Sequence, residues 1–113
     1  MRDPLVKAYG HVYPVTPALY AALESALHDA LNDDEDVPLL CQEGDMARIS
    51  MEGSYFPEDE VVEAFRAHLT PDMLGKLDVL DMDGWRLTRH VFTGGQVKSS
   101  SAPLNNVLDY SGH

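Results

Sequence analysis

Four consecutive carboxylates are the most unusual chemical feature of this sequence. They are Asp33, Asp34, Glu35 and Asp36, in the stretch LNDDEDVPLL at residues 31–40. Clustered carboxylates can bind a metal ion, imitate the phosphates of a nucleic acid or keep a loop hydrated. Helix polarity does not account for them, because they follow a predicted helix C-terminus, where negative charge is unfavourable. We therefore expect this run to serve either solubility or binding.

The carboxylates do not match established metal-binding patterns. A Ca²⁺ loop of the EF-hand type needs acids at alternate positions, a central glycine and a terminal glutamate. Asp81, Asp83 and Gly84 follow part of this spacing. Val79, however, occupies the first ligand position, and no glutamate occurs after Glu63. The Asp-Gly dipeptide instead predicts a hairpin turn. The five histidines form no short zinc-binding motif, so we expect neither a metal site nor a cofactor.

The sequence also lacks a recognisable catalytic nucleophile. Its single cysteine, Cys41, lies in the apolar stretch PLLCQ, where we expect a buried structural thiol. One cysteine excludes an internal disulfide framework and favours a reducing, cytoplasmic setting. There is no GxSxG elbow and no glycine-rich phosphate loop. These observations favour a non-catalytic protein. The alternative is a small-molecule-binding or enzymatic domain with a pocket near Cys41 and His90.

Negative charge dominates the composition and is concentrated in one segment. The 113 residues include 19 acids and 8 lysines or arginines, a net charge of −11. Residues 24–63 contain thirteen of the acids and a single base, Arg48. Direct binding of nucleic acid depends on clustered lysine and arginine, so this balance argues against it. An acidic face suits a basic protein surface instead.

The leading functional prediction is a non-catalytic binding module whose acidic face engages a basic protein. The predicted partner-binding residues are Asp33, Asp34, Glu35, Asp36, Glu43, Asp45, Glu58, Asp59, Glu60 and Trp85. The acids at 58–60 also suit the first turn of a helix, and Trp85 could instead fill the core.

In a sharper form of this prediction, carboxylates spaced like phosphates block a nucleic-acid-binding enzyme. The protein would then be similar in charge and size to small inhibitors of CRISPR or restriction enzymes from phages and mobile elements. A further alternative is an accessory subunit of a larger complex.

The secondary structure that positions these residues follows from apolar spacing and turn residues. Thr16 and Pro17 are suited to begin a helix, and the apolar pattern extends it over 17–31. A second helix is predicted over 57–69. Strands are predicted at 5–13, 38–42 and 46–56, followed by a short capped helical turn at 70–75, ended by Gly75, and a hairpin over 76–92. In the last strand we expect Trp85, Leu87 and Val91 to share the inward side, and His90 to lie on the outer side.

The order of these elements predicts an α+β fold with two helices packed on an antiparallel sheet. The β-α-β-β-α-β order, with one extra strand, matches a ferredoxin-like arrangement, and a meander of the last four strands is the alternative. We expect one domain over 1–95 and a flexible linker and C-terminal tail over 96–113, because QVKSSSAP has linker composition. With no membrane-spanning run and no secretion signal at the N-terminus, we expect a soluble, cytoplasmic protein.

Overall fold

A computed structural model describes residues 5–30, 32 and 36–104 of the chain. The elements within these residues are β1 (Val6–Tyr13), α1 (Pro17–Ala26), β2 (Leu40–Glu43), β3 (Met46–Gly53), α2 (Glu58–His68), β4 (Leu74–Asp81), β5 (Arg86–Thr93) and β6 (Gln96–Pro103). The predicted α+β class, with two helices on an antiparallel sheet, is confirmed.

All six strands belong to one sheet in the order β2-β3-β1-β4-β5-β6, and every neighbouring pair is antiparallel. Strand β1 therefore lies between β3 and β4. Helix α1 connects β1 to β2, and helix α2 connects β3 to β4, so each connection passes over one intervening strand. Strands β5 and β6 extend the sheet beyond β4 by successive hairpins.

The core lies between the two helices and one face of the sheet. Leu19 and Leu23 of α1 are fully buried, as are Val61 and Phe65 of α2. The Phe65 ring stacks on Phe92 of β5, with 4.0 Å between ring centroids. Because both helices cover the same face, the opposite face of the sheet is solvated. We call it the open face.

Helix α1 is shorter than predicted. The apolar pattern predicted a helix to residue 31, whereas α1 ends at Ala26. The chain continues in turns, in which the Ala30 N–H donates to the Leu27 carbonyl. Leu27 and Ala30 remain buried. The turns therefore keep the apolar side facing the core, and the periodicity persists after the α-helix has ended.

The prediction for the inward side of β5 is wrong. His90 and Phe92 are 6% and 1% exposed, whereas Val91 is 37% exposed. Burying Phe92 against Phe65 removes a large aromatic surface from water, and this gain exceeds that of burying Val91. His90 lies two positions before Phe92, so its side chain points to the same face and the imidazole lies under the helices.

A strand occupies the segment for which we expected a flexible linker. Residues 96–103 form β6, which pairs with β5 along its whole length. Gly94 and Gly95 have φ values of 61° and 76°, which suit a two-residue hairpin turn. The serine-rich composition fits a solvated edge strand as well as a linker. The C-terminal tail, 105–113, lies outside the described residues.

The helical turn predicted at 70–75 is shorter than expected, because the Met73 N–H donates to the Thr70 carbonyl but the turn ends before Gly75. Strand β4 begins at Leu74, and Gly75 lies within it, opposite Val12 of β1. A Cβ atom at Gly75 would collide with the backbone carbonyl of His11. Gly75 therefore permits close approach of two strands instead of ending a helix. In the described residues, no helix has the length and apolar character needed to cross a membrane.

Candidate functional site

The predicted partner-binding residues divide between two ends of the sheet. Asp33, Asp34 and Glu35 lie outside the described residues. Glu43 and Asp45 flank the turn before β3, whereas Glu58, Asp59 and Glu60 form the first turn of α2, after β3 has ended. The groups also lie on different sides of the sheet, because Glu43 projects from the open face, whereas α2 packs on the other face. A small partner surface would therefore contact one group or the other.

Asp36 and Trp85 are both exposed in loops. Asp36 precedes β2, and Trp85 lies in the β4–β5 turn with φ of 55° and 41% of its surface exposed. The alternative that Trp85 fills the core is therefore wrong. The predicted turn at Asp83-Gly84 is confirmed, because the Asp81 carboxylate accepts both of their backbone N–H groups. This contact assigns Asp81 a structural role.

A groove of about 610 Å³ lies between α1 and α2, and we call it the helical groove. Four carboxylates line it, together with the exposed ring of Tyr55. These carboxylates are Asp29, Asp59, Glu60 and Glu63. None of the lining residues is a lysine or arginine. The groove therefore presents negative charge beside an aromatic ring.

Two of the groove carboxylates already have neighbouring partners. Glu63 accepts a hydrogen bond from Arg66 at 2.9 Å, and Asp29 lies 3.2 Å from the His28 ring. Asp59 and Glu60 form no ion pair among the described residues. Their position in the first turn of α2 is stabilised by the helix dipole, and their outward-facing charge is available to a ligand.

The open face carries a net positive charge, in contrast to the acidic helical groove. Five of the eight lysines and arginines occupy it, namely Lys7, Arg48, Lys76, Arg89 and Lys98, with three carboxylates, Glu43, Glu52 and Asp78. Among the residues that the structure describes, the charges on the open face sum to +2, whereas the others, eleven acids and two arginines, sum to −9. The fold therefore segregates charges that are mixed along the sequence.

Aromatic residues follow alternate positions of β1 on this face. Tyr9 and Tyr13 are each 42% exposed. The ring of His11 stacks on Tyr13, with 6.3 Å between centroids and 10° between ring planes. Arg48 and Lys76 lie opposite His11 on the two neighbouring strands. These five residues line a cavity of about 510 Å³, which we call the open-face cavity.

Asp78 also lines the open-face cavity, but its carboxylate is already paired with Arg89. Arg89 donates to both carboxylate oxygens, at 2.7 Å and 3.0 Å. These hydrogen bonds to Asp78 raise the pKa of the Arg89 guanidinium above its ordinary value. The Nζ atom of Lys76 lies 3.7 Å from the same carboxylate, beyond hydrogen-bonding distance. The Lys76 ammonium thus retains donors that can face the cavity.

A chain of polar contacts centred on the buried His90 joins α2, β5 and β6. His90 Nε2 lies 2.7 Å from Glu58 Oε2, and His90 Nδ1 lies 2.7 Å from Ser99 Oγ. These residue types also form catalytic triads, but none of the three lines either cavity described above. We assign them a structural role. The sequence did not reveal these contacts. Glu58 and Ser99 are not local neighbours of His90 in sequence, and the inward side of β5 was wrongly predicted.

Cys41 and His90 do not share a pocket. Cys41 is half-buried in the edge strand β2, opposite Arg48, rather than fully buried as predicted. Four strand spacings separate β2 from β5, about 19 Å across the sheet. Among the described residues, no group of three or more histidine, cysteine or acidic side chains could hold a metal ion.

Comparisons with protein-family models, with characterised proteins and with solved structures find no significant match for this chain. The two surfaces and their chemistry are therefore what indicates a function for this chain.

Proposed function

We propose that this chain is a non-catalytic binding module whose helical groove binds a basic segment of a partner protein. The observation that carries the proposal is the convergence of four carboxylates and an exposed tyrosine in a groove without a cation. Lysine and arginine side chains of a partner would pair with Asp59 and Glu60. Tyr55, 55% exposed, supplies an aromatic contact of the kind enriched at binding hot spots.

A finer proposal concerns the nature of the partner. A basic groove or patch that normally binds nucleic acid would suit the acidic helical side, because carboxylates can take the place of phosphates at its lysines and arginines. The module would then act as an inhibitor, and nucleic acid would compete with it. The single free cysteine supports a reducing, cytoplasmic setting for this interaction.

We also propose that the helices and four of the strands form a ferredoxin-like unit. Strands β2-β3-β1-β4 are contiguous, and each helix connects two strands that flank a third, as in a split βαβ arrangement. Strands β5 and β6 would then be an addition at the β4 edge. In this arrangement both helices share one side of the sheet, which is how the two helices come to frame the groove.

The test compares two pairs of substitutions that neutralise the same number of charges at different places in the fold. Asp59→Asn with Glu60→Gln removes two charges from the helical groove, and Glu43→Gln with Asp45→Asn removes two from the opposite end of the sheet. A partner captured by the wild-type chain is purified, and its affinity for each variant is measured across a salt series. We expect the groove pair to weaken binding, mainly through slower association at low salt.

The matched pair at Glu43 and Asp45 should leave affinity within about twofold of wild type. Equal losses for both pairs would indicate a nonspecific charge effect and would overturn the groove as the binding site. Unchanged affinity for the groove pair at every salt concentration would also overturn it. Competition by a nucleic-acid duplex would separately test the inhibitor form of the proposal.

A further inference from the structure

The open-face cavity needs a ligand of different chemistry from the helical groove, because it combines cations with an aromatic row. We propose that it binds a free mononucleotide, with the planar base against the exposed tyrosines of β1 and the phosphate between Arg48 and Lys76. The two surfaces lie on opposite sides of the molecule, so this site is independent of the proposed partner-binding groove.

The aromatic row supplies the base-binding half of the site. Tyr9 and Tyr13 project from alternate positions on the open face and keep 42% of their surface exposed. His11 stacks on Tyr13 and so holds the plane of that ring. Stacking of a base on an aromatic side chain contributes about 1–3 kcal/mol and tolerates any base, because every base has a π face.

Arg48 and Lys76 supply the phosphate-binding half. They lie on β3 and β4, on either side of His11, so their charges flank the aromatic row. Among the described residues each forms one loose ion pair, at 3.5 Å from Glu43 for Arg48 and 3.7 Å from Asp78 for Lys76. Phosphate oxygens would accept shorter, charge-assisted hydrogen bonds from both side chains.

Size and charge favour a free nucleotide over a nucleic-acid strand. The volume of about 510 Å³ lies within the range of small-molecule sites. A strand would extend beyond the cavity towards the other described residues, which carry −9 and repel each additional phosphate. A mononucleotide places its only phosphate at the two cations and escapes most of this repulsion.

Calorimetric titration of the full chain at low salt tests the site. The probes are the four ribonucleoside monophosphates, the matching nucleosides, inorganic phosphate and a short single-stranded oligonucleotide. We expect the monophosphates to bind more tightly than the nucleosides or inorganic phosphate. Tyr13→Leu should weaken nucleotide binding about fivefold or more. Arg48→Gln with Lys76→Gln should weaken it about tenfold or more.

The matched control is Arg66→Gln with Arg86→Gln, which removes two cations outside the cavity and should leave affinity within about twofold. Circular dichroism checks that each variant folds, and Tyr9→Leu replaces Tyr13→Leu if the latter does not. The groove pair Asp59→Asn and Glu60→Gln should retain nucleotide binding, which separates this inference from the proposed function.

Several outcomes would overturn the inference. They are the absence of nucleotide binding tighter than about 1 mM, phosphate binding as tightly as a nucleotide, and an oligonucleotide binding far more tightly than a mononucleotide. Self-association that is lost in the Arg48 and Lys76 variant would instead assign the open face to a second copy of the chain.

Discussion

The Oε2 atom of Glu58 lies 2.7 Å from Nε2 of His90, which joins the first turn of α2 to the covered side of β5. Because the carboxylate accepts, Nε2 carries the proton, and in the neutral ring Nδ1 accepts from the Ser99 hydroxyl. His90 is only 6% exposed. Both ring nitrogens are thus satisfied at a position where an unpaired polar atom would be costly.

Removing the Glu58 carboxylate should therefore destabilise the fold. We expect Glu58→Ala to lower the free energy of unfolding by about 1–3 kcal/mol, because it leaves a buried donor of His90 unpaired. Glu60→Ala is the matched control, since it removes an acid from the same helical turn but breaks no internal contact. Urea denaturation measures both, and equal losses would show that only the helix dipole is involved.

The inward side of β5 can be tested with two adjacent residues. Phe92→Ala should cost about 3–5 kcal/mol, because it removes a buried ring that stacks on Phe65. Val91→Ala should cost much less, because Val91 lies on the open face. If Phe92→Ala does not fold, Phe92→Leu gives the same comparison on a smaller scale. A larger loss at Val91 than at Phe92 would contradict this orientation.

Amide exchange should distinguish an edge strand from a flexible linker over residues 96–103. Backbone N–H groups of an edge strand alternate between pairing with their neighbour and facing solvent. We therefore expect alternating slow and fast exchange along β6. NMR-detected exchange resolves individual amides, and uniformly fast exchange through the segment would contradict the strand.

Tyr20 should make stability depend on pH in alkaline solution. Burial, followed by the nearby Glu24 charge, raises the pKa of its phenol above the ordinary value. The neutral phenol is thus favoured in the folded state, and its stabilising contribution is complete below the ordinary pKa. That contribution is lost as the pH rises through the higher folded-state value.

The corresponding measurement compares the wild type with Tyr20→Phe from about pH 8 to about pH 11. All other ionisable groups are the same in both proteins, so the difference between the curves reports Tyr20. We expect stability to fall more steeply in the wild type above about pH 10. Parallel curves would contradict the assigned shift.

Local sequence patterns determined much of the secondary structure. Thr16 caps α1 as predicted, with its hydroxyl accepting the Leu19 N–H. Ala47, Ile49 and Met51 occupy alternate positions of β3 and are all buried, as expected for a strand with one covered side. These features depend on residues within one or two turns or strand positions of each other, so the linear sequence contains the information that sets them.

Other features depended on which segments meet in the fold. The serine-rich segment 96–103 has linker composition, but pairing with β5 makes it strand β6, with Gly94-Gly95 as the hairpin turn. The side of β5 that faces inward was decided by the contact of Phe92 with Phe65, and His90 followed. Phe65 is far from Phe92 in the sequence, so local patterns do not reveal this contact.

The candidate sites show the same division. The sequence alone determined the excess of acids and the acidic start of α2. Only the tertiary structure placed Asp59 and Glu60 in a groove away from Glu43, and brought Arg48 and Lys76 to the two sides of His11. Strand order and register set those distances, because a side chain's neighbours across a sheet are fixed by pairing, whereas composition fixes only the total charge.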